Sequence, residues 1–267
     1  MDINSLFGIK GKVAIVTGGS RGIGEMISAA LLANGVKTYI TARKAPALID
    51  KANELSQKFG GECIPIPCDL SSSEGIHELV SEIKSKESSL DFLINNAGAA
   101  WAQPLMEYSE SGWDKVMDLN VKSLFFLTQQ LTPLLAKHAS FEAPSKVINI
   151  GSIDGINTAA FESFAYSASK AAVHHLTKVL AARLIKEKIV VNAIAPGPFP
   201  SNMLGPAVAH DYTIIAENNP SKRIGTPEDI GGLAVFLCSR AGNYTVGETI
   251  TCDGGLVARA GHNLSNS

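Results

Sequence analysis

The feature that most constrains this chain is an alternation. Short β-branched, almost uninterrupted apolar runs fall at 12–17, 37–41, 62–67, 91–95, 146–150, 190–194 and 249–252. Between them lie longer stretches of helical periodicity, at 23–34, 45–58, 73–87, 111–137, 164–187 and 227–239. A strand with one wet face alternates apolar and polar residues, whereas a run apolar on both sides belongs to a parallel sheet covered on both faces. Strand, helix and strand in parallel order require right-handed crossovers, which wind helices onto both faces. The pattern predicts an α/β fold: a doubly wound parallel sheet of about seven strands with helices on both faces. No internal repeat or low-complexity linker divides the chain, so 1–267 reads as a single domain. One segment departs from the rhythm. Residues 196–226 are rich in Pro, Gly and Asn, with a weak helical signal near 203–216, and irregular insertions of that length are more often functional than idle.

Composition narrows the function classes. Hydrophobic residues at 45% and charged residues at 18% exclude a disordered chain or a coiled coil. Lys and Arg (23) nearly balance Asp and Glu (25), so no polybasic field favours nucleic acid or an anionic membrane. Apolar stretches such as 124–127 break far short of the roughly 18 residues needed to span a bilayer. The opening MDINSLFGIKGK has no basic segment followed by an apolar one, so a soluble, cytoplasmic protein is expected. The four cysteines show no Cys-x2-Cys spacing. Cys63 and Cys68 lie five apart on a strand and its exit and point to opposite faces, as buried thiols. The adjacent His174 and His175 cannot share a helix face, and no metal site is expected.

Three stretches carry chemistry on the cofactor side. The first strand runs into Thr17-Gly18-Gly19-Ser20-Arg21-Gly22-Ile23-Gly24 and then at once into a helical pattern. Glycines at 18, 22 and 24 let the backbone turn sharply and approach a pyrophosphate held at the helix N-terminus. No Gly-Lys-Ser/Thr follows, so this is not a P-loop. The second strand ends Thr41-Ala42-Arg43, with Ala42 where an NAD site would place an acid for the ribose hydroxyls. Arg21 and Arg43 are either solvated surface cations or, the favoured reading, a bidentate grip on the 2′-phosphate of NADP(H). Asp69-Leu70 after the third strand either pairs with adenine through its carboxylate and an N–H or begins the next helix. Asn96-Ala97-Gly98, after Asn95, closes the fourth strand with residues small enough for close approach.

The reacting groups come later. Tyr166 and Lys170, at i and i+4 near a helix start, share a face. A phenol with a pKa near 10 is a poor acid at neutral pH unless a cation stabilises its anion, and Lys170 is expected to provide that cation. Ser152, just after the fifth strand, is placed to hydrogen-bond a carbonyl oxygen. Asn120 is polar within an apolar helical pattern; it either caps or kinks the helix or holds a water in line with Lys170.

In this order, TGGSRGIG, the Asp-Leu pair at 69–70, NNAG, the in-helix Asn, the Ser, YSASK and Pro196-Gly197 resemble the classical short-chain dehydrogenase/reductase family over residues 12–255. The resemblance implies a Rossmann-type, NADP(H)-binding catalytic domain with a tetrad of Asn120, Ser152, Tyr166 and Lys170. It also implies cofactor contacts from Gly18, Ser20, Arg21, Gly22, Ile23, Gly24, Arg43, Asp69, Leu70, Asn96, Ala97, Gly98, Pro196, Gly197 and Ser201, together with Tyr166 and Lys170. Ser201 stands where the family commonly has Thr. SGWDKVMDLNV, INIGS and APGPFPSNM are similar to bacterial 3-oxoacyl reductases. That implies a small-molecule carbonyl substrate, a 3-oxoacyl thioester of acyl carrier protein or coenzyme A. An alcohol or sugar-alcohol dehydrogenase is the alternative within the family, and a non-catalytic NADP-binding redox sensor the alternative outside catalysis, which the intact tetrad disfavours. The family further implies a homotetramer pairing the helices at 111–137 and 164–187. A substrate lid is expected near 198–222, with Phe199, Met203, Leu204, Val208, Tyr212, Ile214 and Ile215 as its apolar set.

Overall fold

Seven strands, β1 (Val13–Thr17), β2 (Lys37–Ala42), β3 (Cys63–Pro67), β4 (Phe92–Asn95), β5 (Ser145–Ile150), β6 (Ile189–Pro196) and β7 (Thr249–Cys252), form one sheet. Their order is β3-β2-β1-β4-β5-β6-β7, and every pair is parallel. The computed structural model describes residues 1–159, 161–201 and 211–258. The strands alternate with α2 (Gly22–Ala33), α3 (Ala45–Phe59), α4 (Ser73–Lys86), α5 (Glu110–Met117), α6 (Ser123–Ala136), α7 (Phe164–Leu184), α8 (Thr213–Asn218) and α9 (Pro227–Cys238), preceded by a short α1 (Ile3–Phe7). The periodicity did not announce α1; it is a single turn and a half started by Asp2, whose side chain accepts from the N–H groups of Asn4 and Ser5.

Continuous apolar strands explain the two cores. Ala14 and Val16 of β1 and Ile94 of β4 face α2, α3 and α9, packing with Ile27, Leu31, Leu48, Ile230 and Leu237. Ile15 and Leu93, their neighbours along the strands, face α4, α6 and α7, packing with Leu79, Ile83, Leu131 and Leu184. Successive strand residues point to opposite faces, so a strand covered on both sides has no polar phase. Cys63 belongs to the first core and Cys68 to the second, on opposite faces as their spacing predicted. All four thiols are free.

Three expectations need correction or completion. The single helix expected over 111–137 is interrupted by a π-turn, Asp118–Lys122, between α5 and α6. A π-turn adds one residue per turn, and the apolar periodicity on either side hides it. The strand expected at 190–194 runs to Pro196, with which Cys252 is paired. In the irregular segment, 202–210 lies outside the described residues, and with it Met203, Leu204 and Val208; the helical signal near 203–216 is realised in the described part as α8. Of the expected lid residues, Phe199 is 3% exposed and belongs to the core beneath Gly225, whereas Ile214 is exposed.

Candidate active site

Strand order reverses between β1 and β4, so the crossovers leaving these two strands diverge and open a crevice at their C-terminal ends. Every candidate residue sits at that edge: the glycine loop after β1, Arg43 after β2, Asp69 after β3, Asn96–Gly98 after β4, Ser152 after β5, and Gly197 and Ser201 after β6.

Gly18 (φ +64°) and Gly22 (φ +56°) take the left-handed conformations that side chains disfavour. A Cβ on Gly24 would strike the Gly18 carbonyl and the Asn96 amide, so only glycine lets α2 start this close to the loop. Arg21, at the N-cap of α2, is extended and makes no side-chain cap, leaving the first N–H groups of a twelve-residue helix to an anion. Arg21 and Arg43 are both exposed, and Ala42 supplies no acid. A cradle that any Cβ would fill, an uncapped helix start and two cations fit a dinucleotide carrying an extra ribose phosphate.

Around this cradle the structure sorts direct candidates from supporting ones. Asn96 donates its side-chain N–H groups to the carbonyls of Thr17 (2.8 Å) and Gly18 (3.2 Å), while Asn96 N and Ala97 N both donate to Thr17 Oγ1 at 2.9 Å. Asn96 therefore buckles the glycine loop in place. Asp69 accepts from Ser71 Oγ (2.7 Å) and Ser71 N (3.0 Å); these bonds, and Arg43, hold its carboxyl below the usual range. Ser72 caps α4, so the helix-start alternative for Asp69 falls to Ser72. Leu70 is buried and leaves its main chain to the crevice. Ile23 packs on the core, and Ser20 is partly exposed at the loop. Ser201 lies against Gly22, where an added Cβ would meet the Ser201 Cβ at 3.4 Å. Gly197 N donates to the Cys252 carbonyl at 3.0 Å, and an added Cβ would come within 2.8 Å of Asp253, so the chain leaves β6 tightly packed.

Across the crevice, Tyr166 is the third residue of α7 and Lys170 lies one turn on. Ser152 lies close enough to the Tyr166 hydroxyl to favour its anion, and Asp154 N donates to Ser152 Oγ at 3.1 Å. Lys170 Nζ lies 5.5 Å from the Tyr166 ring centroid and donates to the Ile150 carbonyl at 2.7 Å. Burial pushes the Lys170 ammonium down to about 8. It pushes the Tyr166 phenol up to about 12; Ser152 opposes that rise and the Asp154 charge adds to it. The ammonium is turned to the strand carbonyl, and enclosure of the phenol outweighs the one contact that favours its anion.

Asn120 lies inside the π-turn, a common home for functional residues. It is 2% exposed. Its Oδ1 accepts from Ala99 N (2.8 Å), and its Nδ2 donates to Ala99 O (3.0 Å) and Ser169 Oγ (2.9 Å). The side chain pins the loop after β4 to α7, which leaves the second Oδ1 lone pair and the main chain for any water. Ser169 passes the link on by donating to the Tyr166 carbonyl at 2.7 Å. Ser169 escaped the sequence reading and His174 was weighed there only against a metal site; both share the buried face of α7 with Lys170, and that shared spacing was the available signal. Among the described residues no three His, Cys, Asp or Glu side chains are grouped to hold a metal, and no helix is long and apolar enough to cross a membrane.

The doubly wound sheet agrees with comparisons to known proteins. A family model described as "Enoyl-(Acyl carrier protein) reductase" matches residues 18–257. The chain belongs to the short-chain dehydrogenase/reductase family. It is 46% identical over 253 residues, 94% of this chain and 98% of the relative, to the rhamnolipids biosynthesis 3-oxoacyl-[acyl-carrier-protein] reductase of Pseudomonas aeruginosa. It is 34% identical to the 2-dehydro-3-deoxy-D-gluconate 5-dehydrogenase of Dickeya dadantii, over 96% of this chain and all of the relative. The solved Pseudomonas aeruginosa RhlG/NADP active-site complex superposes with a TM-score of 0.90 at 45% identity, covering 95% of this chain and 99% of that one.

Proposed function

We propose that this chain is an NADPH-dependent reductase that converts a ketone to a secondary alcohol, and that its substrate is a 3-oxoacyl thioester. The observation that carries the reaction class is the Tyr166–Lys170 pair, with Nζ 5.5 Å from the ring centroid, beside Ser152 at the crevice where the sheet order reverses. The substrate class is supported by the Pseudomonas relative, and the cofactor by the glycine cradle with Arg21 and Arg43 and by the NADP named in the neighbouring structure.

Bound NADPH supplies a hydride to the carbonyl carbon. The protein must handle the oxygen. Ser152 Oγ donates to the carbonyl oxygen as negative charge builds there, and Tyr166 releases its hydroxyl proton to the developing alkoxide. Burial keeps the phenol protonated at neutral pH, so it has a proton to give, and the Lys170 ammonium near its ring would ease the release. The tyrosinate left behind needs a cation; Lys170, near its Tyr166 ring and protonated below about 8, provides it. Asn120 keeps the Ala99 loop and α7 in register and leaves its main chain to hold the water that returns a proton.

The remaining site assignments follow from the same reading: Gly18, Ser20, Arg21, Gly22, Ile23 and Gly24 at the pyrophosphate, Arg43 at the 2′-phosphate, Asp69 and Leu70 at adenine, Asn96 to Gly98 where the cofactor approaches the sheet, and Pro196, Gly197 and Ser201 beside the nicotinamide. Residues 1–267 act as one catalytic domain. A cytoplasmic homotetramer fits the exposed Trp113, Phe126 and Val179 on α5, α6 and α7, which a subunit interface would cover.

The test is NADPH oxidation with 3-oxoacyl thioesters of graded length, beside keto-sugars. Each buried methylene contributes about 0.8 kcal/mol, so kcat/KM is expected to rise with chain length until the cleft is filled. Tyr166→Phe is expected to keep NADPH binding and lose about 10²-fold or more in turnover. Efficient reduction of the sugars with inert thioesters would transfer the substrate to the sugar-alcohol class; a fully active Tyr166→Phe would remove the mechanism.

A further inference from the structure

We propose that His174 is a positioning residue for the reduction: a neutral imidazole that fixes Ser152 relative to Tyr166. The inference rests on the reading of Ser152 and Tyr166 given above. Three side chains on the buried face of α7 hold the C-terminal end of β5. Thr177 Oγ1 accepts from Asn149 Nδ2 at 2.9 Å, Lys170 Nζ donates to the Ile150 carbonyl at 2.7 Å, and His174 Nε2 accepts from Ser152 N–H at 3.4 Å. Only the last of these touches the residue that carries a reacting hydroxyl.

The turn is shaped around the ring. A Cβ on Gly151 would collide with His174 Nε2. A Cβ on Gly155 would come within 2.9 Å of His174 Cε1 and within 2.6 Å of the Lys170 carbonyl carbon. Glycine on both sides of the Ser152–Asp154 stretch is what admits an imidazole there. His174 is 9% exposed and Ser152 is 7% exposed, so without the ring the Ser152 amide is a buried donor with no acceptor. Since Ser152 Oγ also takes the Asp154 N–H, a drifting Ser152 backbone would carry the hydroxyl off the substrate oxygen. Displacements near 1 Å are enough to cost large factors in rate.

The geometry requires an unprotonated Nε2; an imidazolium would oppose N–H to N–H. The surroundings agree. Burial, Lys170 and Lys178 on α7 push the His174 pKa below its usual value, and a Gly155 backbone contact pulls it back. Asp154 is the titratable residue of the turn, β6 carries none, and Lys146, the one on β5, lies at the far end of that strand.

The experiment compares His174→Leu, His174→Gln and Ser152→Ala with the parent protein, measuring kcat, KM, NADPH affinity by fluorescence titration, and the pH profile of kcat. His174→Leu is expected to lose tenfold or more in kcat with unchanged NADPH affinity. His174→Gln, whose side-chain oxygen reaches the Nε2 position, is expected to recover much of that loss. The parent's activity should fall in acid below the usual histidine range, and that limb should vanish in His174→Gln. Should the leucine variant fail to bind NADPH, the glutamine pH profile decides: a limb lost supports the role and a limb retained overturns it. A leucine variant within twofold of the parent in kcat, or a glutamine variant no better than leucine, also overturns it. If Ser152→Ala is inactive while His174→Leu is normal, only the positioning role falls. If Ser152→Ala is fully active, the reading of the site falls and the role with it.

Discussion

Two buried lysines meet the two ends of β5, and their fates differ. Lys146, near the start of the strand, is 2% exposed and donates to Asn243 Oδ1 at 2.6 Å. Lys170, from α7, is 5% exposed and donates to the Ile150 carbonyl at the strand's end. Burial pushes each down to about 8. The shift and its cause are the same, so a perturbed lysine does not by itself mark a site. What differs is the company. Lys170 lies beside Tyr166 at the edge where the sheet order reverses. Lys146 faces Asn243, which in turn donates to the Glu142 carbonyl at 3.0 Å, so it ties the entry to β5 to a turn nearly a hundred residues away. A shifted pKa becomes a functional signal when it occurs in a cleft with a reaction partner.

The largest expected effect separates the two. Lys170→Met should lower turnover by about 10²-fold or more, the usual scale for disabling a general acid, and, if the proposed ribose contact holds, should weaken NADPH as well. Lys146→Met should leave kcat and KM within about twofold, since it touches neither the crevice nor the residues around it. Steady-state kinetics on both variants measures this. Equal losses would mean that the two ends of β5 are coupled and that the comparison is wrong.

Much of this was legible beforehand, for definite physical reasons. Seven parallel strands follow from apolar runs without a polar phase, and Tyr166 with Lys170 follows from helical spacing. Ser152 and the glycine loop follow from their places at strand ends. The π-turn around Asn120 was not legible, because one extra residue inside an apolar helix barely disturbs the pattern. Nothing in the sequence singles out Lys146 at the start of its apolar run; only the approach of Asn243, distant in the chain, reveals its polar partner. His174 entered the sequence reading only as one of an adjacent pair unsuited to a metal; its place against the Ser152 amide comes from the fold. The Tyr166 pKa depends on how completely the fold encloses the phenol, which no spacing encodes.

A smaller effect sharpens the structural side. Asn243 supplies the side-chain oxygen that meets the Lys146 ammonium, so Asn243→Ala should cost about 1.5–3 kcal/mol of stability near neutral pH, the range for hydrogen bonds to charged groups. In the Lys146→Met background the same substitution should cost less, because no buried charge is left unpaired. Denaturant unfolding of the four proteins of this double-mutant cycle gives the coupling. Additive losses would show that Asn243 acts only through the Glu142 carbonyl.

The smallest effect is in the pH dependence of stability. Lys146 is held at about 8 in the folded protein against a usual value of 10.5, so below pH 8 both folded and unfolded states carry its proton and the burial penalty is fully present. Between about 8 and 10.5 the unfolded chain keeps the proton that the folded protein has released. The unfolded state then binds more protons, and stability contributed by this group rises with pH. Lys146→Met lacks that titration. The difference in unfolding free energy between parent and variant should therefore move in the parent's favour above pH 8, by at most about 1.4 kcal/mol per pH unit. Lys170 titrates in the same window but is present in both proteins, so its contribution cancels. Cys238 sits near Lys146, and burial pushes its thiol up to about 12, which destabilises the fold once pH passes the ordinary thiol range. Cys238 is present in both proteins, so its ordinary titration cancels in the difference as that of Lys170 does, and pH 8–9 is the interval in which the folded lysine loses its proton. A parent–variant difference that stays flat across that interval would show that Lys146 keeps its proton in the folded protein, and that the likeness between the two lysines ends at burial.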